Sequence, residues 1–178
     1  KPDVVANGEE VVAPVFLGNQ PSQTNYNSES GTSYAAPAVA ASGSLLRQHF
    51  LNTHLGWTNV LASTLKAIII NEADEIGAEG PDFQAGYGLM NTDASARLIS
   101  SNALNGAHIF EILLQTNTPW LGHFLVTDTN GVFKSTIAWT DPAGALPPVM
   151  IDPTNSVLVN DLDLLLISVS MLVFAIAL

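Results

Sequence analysis

Residues 28–41 read SESGTSYAAPAVAA. A short polar run meets a stretch of small apolar residues, and Pro37 follows Ser33 by about one helical turn. Two readings of Ser33 are open on these residues alone. In the first, Thr32 or Ser33 caps a helix, Gly31 supplies the turn before it, and Pro37 sits in the first turn, where its missing N–H costs little. In the second, the Ser33 hydroxyl stands at a helix N-terminus whose unpaired N–H groups and dipole stabilise negative charge on an attacked carbonyl oxygen. The alanine-rich stretch is apolar nearly all round, which predicts a helix enclosed by other elements.

Outward from this stretch, short apolar runs alternate with helical patterns up to about residue 101. DVV (3–5) and VVAPV (11–15) predict short buried strands. A second helix is predicted from Thr58 as N-cap, with Leu61, Leu65, Ile68 and Ile69 along one face, and a third over TDASARLIS (92–100). Beyond SSNALNG (100–106) the pattern changes to extended runs separated by Asn, Gly and Pro clusters: HIFEILLQ, GHFLVTD, VFKSTIAWTD and SVLVNDLDLLLI. Phe133, Ile137 and Trp139 fall on one face at period two, with Ile137 and Trp139 expected on the buried side. The expected fold class is therefore α/β over residues 1–103, followed over 104–178 by an antiparallel β-sandwich.

Composition narrows the function. The chain has 178 residues, 47% of them hydrophobic, enough to bury a core. Sixteen acidic against five basic side chains give a net charge of −11, which repels nucleic acid and anionic membrane surfaces. Cysteine is absent, which excludes disulfides, thiolate metal sites and thiol nucleophiles. Lys1 begins in what reads as a strand approach, with no signal segment, so the N-terminus reads as cut. The uncharged run LLLISVSMLVFAIAL (164–178) is too short for a comfortable span, which needs roughly 20 apolar residues. A buried strand is the favoured reading of that run, with a lipid-contacting tail as the alternative.

GTSYAAP (31–37) resembles the serine motif of the subtilisin-like serine proteases, the subtilases or peptidase family S8. KPDVVANGEEVVAP (1–14) is similar to the strand and loop that approach that motif, LKAIIINEAD (65–74) to the family's next helix, and GPDFQAGYGLMNTDAS (80–95) to the turn and short helix that close its catalytic domain. Several linked motifs in order are more specific than one short pattern. STIAWTDPAG (135–144) and LVNDLDLLL (158–166) look like the C-terminal jelly-roll-type module of some secreted members. The resemblance implies a parallel-sheet peptidase domain, polypeptide substrates, extracellular location, and Ser33 as the catalytic nucleophile, attacking a peptide carbonyl after a histidine takes its proton.

The family's chain order is Asp, His, Ser. Here no histidine precedes Ser33, and the only aspartate before it is Asp3, so the triad's Asp and His are expected upstream of Lys1 and the 178 residues alone are expected to be inactive. On a continuous helix at 1.5 Å per residue, His49 and His54 would lie roughly 25 Å or more from Ser33. His108 and His123 belong to the β region. The alternative function is a catalytically inactive subtilase-like scaffold or binding protein. No cofactor is assigned beyond a secondary reading of calcium. Calcium is a secondary reading of the acidic set Glu72, Asp74, Glu75, Glu79 and Asp82, for which solvated loop charges are preferred, and of Asp161 with Asp163, which fall on one face of a predicted strand and for which an ordinary polar face is preferred. A family sequence would turn polar after DLDLLLIS, so residues 167–178 read as an atypical tail, poorly packed, from truncation or a frame change.

Overall fold

A computed structural model describes residues 2–15, 25–106, 108–116, 118–126, 130–147, 149–151, 154, 156–169 and 172–177. Its elements run β1 (Val11–Pro14), β2 (Tyr26–Glu29), α1 (Thr32–Thr53), α2 (Ala62–Asn71), α3 (Thr92–Asn105), β3 (Trp120–Leu125), β4 (Leu164–Val169) and β5 (Leu172–Ala177). The core lies where the three helices meet. Leu46 and Phe50 of α1, Val60, Ile68 of α2 and Ile99 of α3 are buried together, with Leu65, Ile69, Met90 and Ile109 packed around them.

The helices begin where their local chemistry allows, with one exception. Asn91 caps α3, its Oδ1 accepting the Ala94 N–H at 2.9 Å, and Gly106 closes the helix in the left-handed conformation at φ 64°. The predicted cap at Thr58 is not used: α2 starts at Ala62, after Leu61 in an extended conformation. Val60 is buried in the core. Glu111, far along the chain, supplies the missing cap, accepting the Leu61 N–H at 3.0 Å and the Thr64 hydroxyl.

The N-terminal segment is stitched to the turn after α2. The Val5 N–H donates to Gly88 O, the Met90 N–H to Val5 O, and the Asp74 and Leu89 backbones exchange both hydrogen bonds at 2.8 Å. Gly88, at φ 115°, lies against the Asp74 carbonyl with no room for a Cβ. Here the expected parallel sheet is reduced, among the described residues, to one parallel bridge between Val5 and Leu89. VVAPV forms the antiparallel hairpin β1–β2, alternately half-buried and exposed, instead of a buried strand.

After α3 the described residues hold strands and no helix. β3 and β4 both pair antiparallel with β5, in the order β3-β5-β4. The apolar tail thus supplies the central strand of this sheet. A second, facing sheet, which a sandwich requires, is not seen among the described residues. VFKSTIAWTD forms no strand. Phe133 joins an aromatic cluster with Phe124, itself edge-on to Phe110, and the Thr136 hydroxyl donates to Asn71 Oδ1 at the end of α2. Ile137 and Trp139 are half-buried. The expected boundary after Ala103 falls inside the last turn of α3.

Candidate active site

Ser33 is the second residue of α1, and Gly31 precedes the helix with extended dihedrals and no side-chain cap. Thr32 and Ser33 therefore occupy the first turn, where backbone N–H groups lack helical partners. The hairpin places this turn. Gly8 O accepts the Gly31 N–H at 2.8 Å, Ser30 Oγ accepts the Glu10 N–H at 3.0 Å, and Gly31 O accepts the Tyr34 N–H at 3.0 Å. The Ser33 side chain is exposed, and among the described residues its hydroxyl has no hydrogen-bond partner. A serine so placed is open to a substrate and points no hydrogen bond back into its own backbone.

Pro37 lies in the second turn, as the sixth helical residue, one turn later than predicted. Lacking an N–H, it leaves the Ser33 carbonyl without an i+4 donor, which relaxes the helix at the residue of interest. The expected enclosure of α1 is also corrected. Its buried residues are Leu46 and Phe50, while Thr32–Leu45 are exposed or half-buried. Ala36, Val39, Ala40 and Gly43 instead line an open groove of about 550 Å³ against Leu65 and Ile69 of α2.

No histidine or carboxylate among the described residues reaches Ser33. Asp3 pairs with Lys66 on α2 at 3.4 Å. His49 and His54 sit at the far end of α1: His49 Nε2 lies 2.8 Å from Ser100 Oγ, and His54 is buried against Asn102. His108 Nε2 lies 3.1 Å from Ser101 Oγ, and His123 belongs to β3. Sequence reasoning missed both serine–histidine pairs on α3. Neither forms a nucleophile pair on this geometry, because the Ser100 hydroxyl already donates to Ala96 O and, among the described residues, no carboxylate orients either ring.

The acidic loop is built from side chain to backbone bonds. Asp82 Oδ1 accepts the Ala85 and Gln84 N–H groups at 2.7 Å each, and these hold its carboxyl below the ordinary aspartate value. Glu75 accepts the Gly80 N–H and Asp74 accepts Asn91 Nδ2 with both oxygens. Among the described residues no group of three or more such side chains is arranged to hold a metal ion. Asp161 and Asp163 are exposed and precede β4 instead of lying on a strand face. The segment before them is tied down by Asp141, which accepts the Val159 N–H at 2.7 Å and both the backbone N–H and Nδ2 of Asn160; the Val159 bond first, then those from Asn160, keep its carboxyl low.

Residues 1–88 match the model of Peptidase_S8, the Subtilase family. The match gives a likeness to the subtilases over just under half of the chain. It ends before α3 and does not reach the β3–β5–β4 sheet. No curated protein matches the chain.

Proposed function

We propose, from the subtilase match over residues 1–88, that this chain carries the nucleophile of a serine endopeptidase and that the nucleophile is Ser33. The observation that carries the reading is the exposed Ser33 hydroxyl in the first turn of α1, on a hairpin-braced junction inside the matched region. Attack on a peptide carbonyl by Ser33 Oγ needs a general base to take the hydroxyl proton, and an acid to orient that base. The negative charge on the carbonyl oxygen is met by the N–H groups of the first helical turn. Asp and His of the triad are contributed by sequence preceding Lys1, and the enzyme acts outside the cell. The 178 residues alone bind no base at Ser33 and hydrolyse peptides at the background rate. The strands that follow α3, within the region 104–178, belong to an accessory β module.

A second reading is a catalytically inactive subtilase-like scaffold. It is favoured by the absence, among the described residues, of any histidine or carboxylate at Ser33. Labelling with a sulfonyl-fluoride or organophosphorus reagent separates the two. The peptidase reading expects the complete gene product to cleave a peptide substrate and to incorporate label at Ser33, with Ser33→Ala abolishing both. Equal cleavage by parent and Ser33→Ala removes Ser33 from the mechanism, and absence of cleavage and of label in the complete product establishes the scaffold.

A further inference from the structure

At the end of α1 farthest from Ser33, His54 is buried in a network that is complete only when its ring is neutral. The Asn102 carboxamide fixes the arrangement. Its Oδ1 accepts two backbone donors from the segment leaving α3, the His108 N–H at 3.0 Å and the Ile109 N–H at 2.9 Å. With the oxygen so committed, Nδ2 faces His54 Nε2 at 3.0 Å, and a carboxamide nitrogen can only donate. Nε2 must therefore be the acceptor, and the imidazole proton sits on Nδ1, 3.1 Å from Phe50 O and from Thr53 Oγ1. The ring stacks on Phe50 at 4.0 Å, with the Trp57 edge at 6.1 Å.

A proton added at Nε2 sets donor against donor. The ring itself is held in place by its stack on Phe50. Asn102 can answer only by turning its oxygen to Nε2, which turns its NH₂ toward the His108 and Ile109 N–H groups and ends both bonds. We infer that His54 and Asn102 form a proton-operated latch that fastens the segment after α3 to the helical unit when His54 is neutral and releases it on acidification. The segment runs on to Glu111, which caps α2, and then to β3, so release loosens the connection between helices and sheet. This inference is independent of the peptidase reading.

The other titratable and charged groups on the elements packed here are engaged elsewhere. On α1, His49 faces Ser100 and Arg47 donates to Asn59. On α3, Arg97 pairs with Asp93, and on α2 Lys66 pairs with Asp3. After α3, the His108 ring faces Ser101 and Asn105, and Glu111 faces Leu61 and Thr64. The side chains lining the space at the ring, Thr53, Leu55, Trp57, Asn102 and Ile109 among them, carry no charge.

The test is residue-resolved amide exchange on the 178-residue chain, corrected for the intrinsic pH dependence of exchange, with ring ¹⁵N shifts of His54. Protection of the His108 and Ile109 amides is expected to fall about tenfold or more between pH 8 and pH 5 while amides within α1 near Phe50 keep theirs. The ¹⁵N shifts at pH 8 are expected to show the Nδ1–H tautomer. His54→Gln, whose carbonyl can accept from Asn102 but cannot take up a proton there, is expected to keep the two amides protected throughout. Asn102→Asp, which accepts from both backbone amides and pairs with a cationic ring, is expected to hold the latch shut at pH 5 even if His54→Gln fails to fold. Unchanged protection in the parent, an Nε2–H tautomer at pH 8, an equal loss in folded His54→Gln, or release of the latch at pH 5 in Asn102→Asp overturns the inference.

Discussion

The carbonyl oxygen of Gly8 accepts the Gly31 N–H at 2.8 Å, and a Cβ built on Gly8 would stand 2.7 Å from the Gly31 oxygen and 3.1 Å from the Ala35 Cβ. The obstacle is backbone, which cannot swing aside as a side chain would. Gly8→Ala is therefore expected to destabilise the chain by about 1–3 kcal/mol, the range for overpacking, read as a lower denaturation midpoint in urea. Because the displaced junction leads directly into Ser33, the same substitution in an active form of the protein is expected to lower labelling of Ser33. A midpoint equal to the parent's would show that the junction gives way freely.

Adjacent residues of α1 report which side of the helix is held. Leu46 is 1% exposed and Leu45 67%. Leu46→Ala is expected to cost about 2–5 kcal/mol by cavity formation in the helical core. Leu45→Ala is expected to fall within about 0.5 kcal/mol of the parent. Comparable losses at the two positions would mean that the helix is rotated from the packing described.

Glu111 caps a helix that has no capping side chain of its own. Removing its carboxylate by Glu111→Ala leaves the Leu61 N–H and the Thr64 hydroxyl without their acceptor, at a cost of about 1 kcal/mol. In a double-mutant cycle with Thr64→Val the two losses are expected to be less than additive, since one bond is common to both. Strict additivity would separate Glu111 from α2.

Two carboxylates make the fold sensitive to acid. Asp82 is held low first by the Ala85 N–H and then by Gln84, and Asp141 first by the Val159 N–H. A carboxyl lowered on folding adds stability above its unfolded value and surrenders it as pH falls through the folded one, so the effect is confined to below about pH 4. Asp82→Asn and Asp141→Asn are each expected to lower the plateau of the stability curve above about pH 4 and to leave its low-pH end little changed, so that the acid limb flattens. An acid limb as steep in the double variant as in the parent would assign acid sensitivity to other groups.

What the sequence disclosed was local. TDASARLIS announces α3 by its helical pattern, and GTSYAAP announces the start of α1 because glycine, a short polar run and a proline constrain the same turn. The start of α2 was hidden, since its capping carboxylate comes from Glu111 and no window of sequence joins the two. Alternation at 133–139 suggested a strand, yet a strand exists only through its partner, and β5 pairs instead with β3 and β4. The alanine-rich half of α1 advertises a helix fit for close packing; which element packs there is not written in the helix. Ser33 was legible as a position. The groups that would activate it have no counterpart among the described residues.

The distribution of burial along α1 makes that helix a cantilever. Its anchor is the C-terminal half, through Leu46 and Phe50, and its free end carries Ser33, braced among the described residues by the hydrogen bonds at Gly8 and Ser30. Opening of the free end breaks few apolar contacts and leaves the clamped end intact, so the two ends exchange with solvent at separate free energies. A body seated across both the hairpin and the first turns of α1 would stiffen the beam along its length, and the gain would be felt most at its tip, where the serine is.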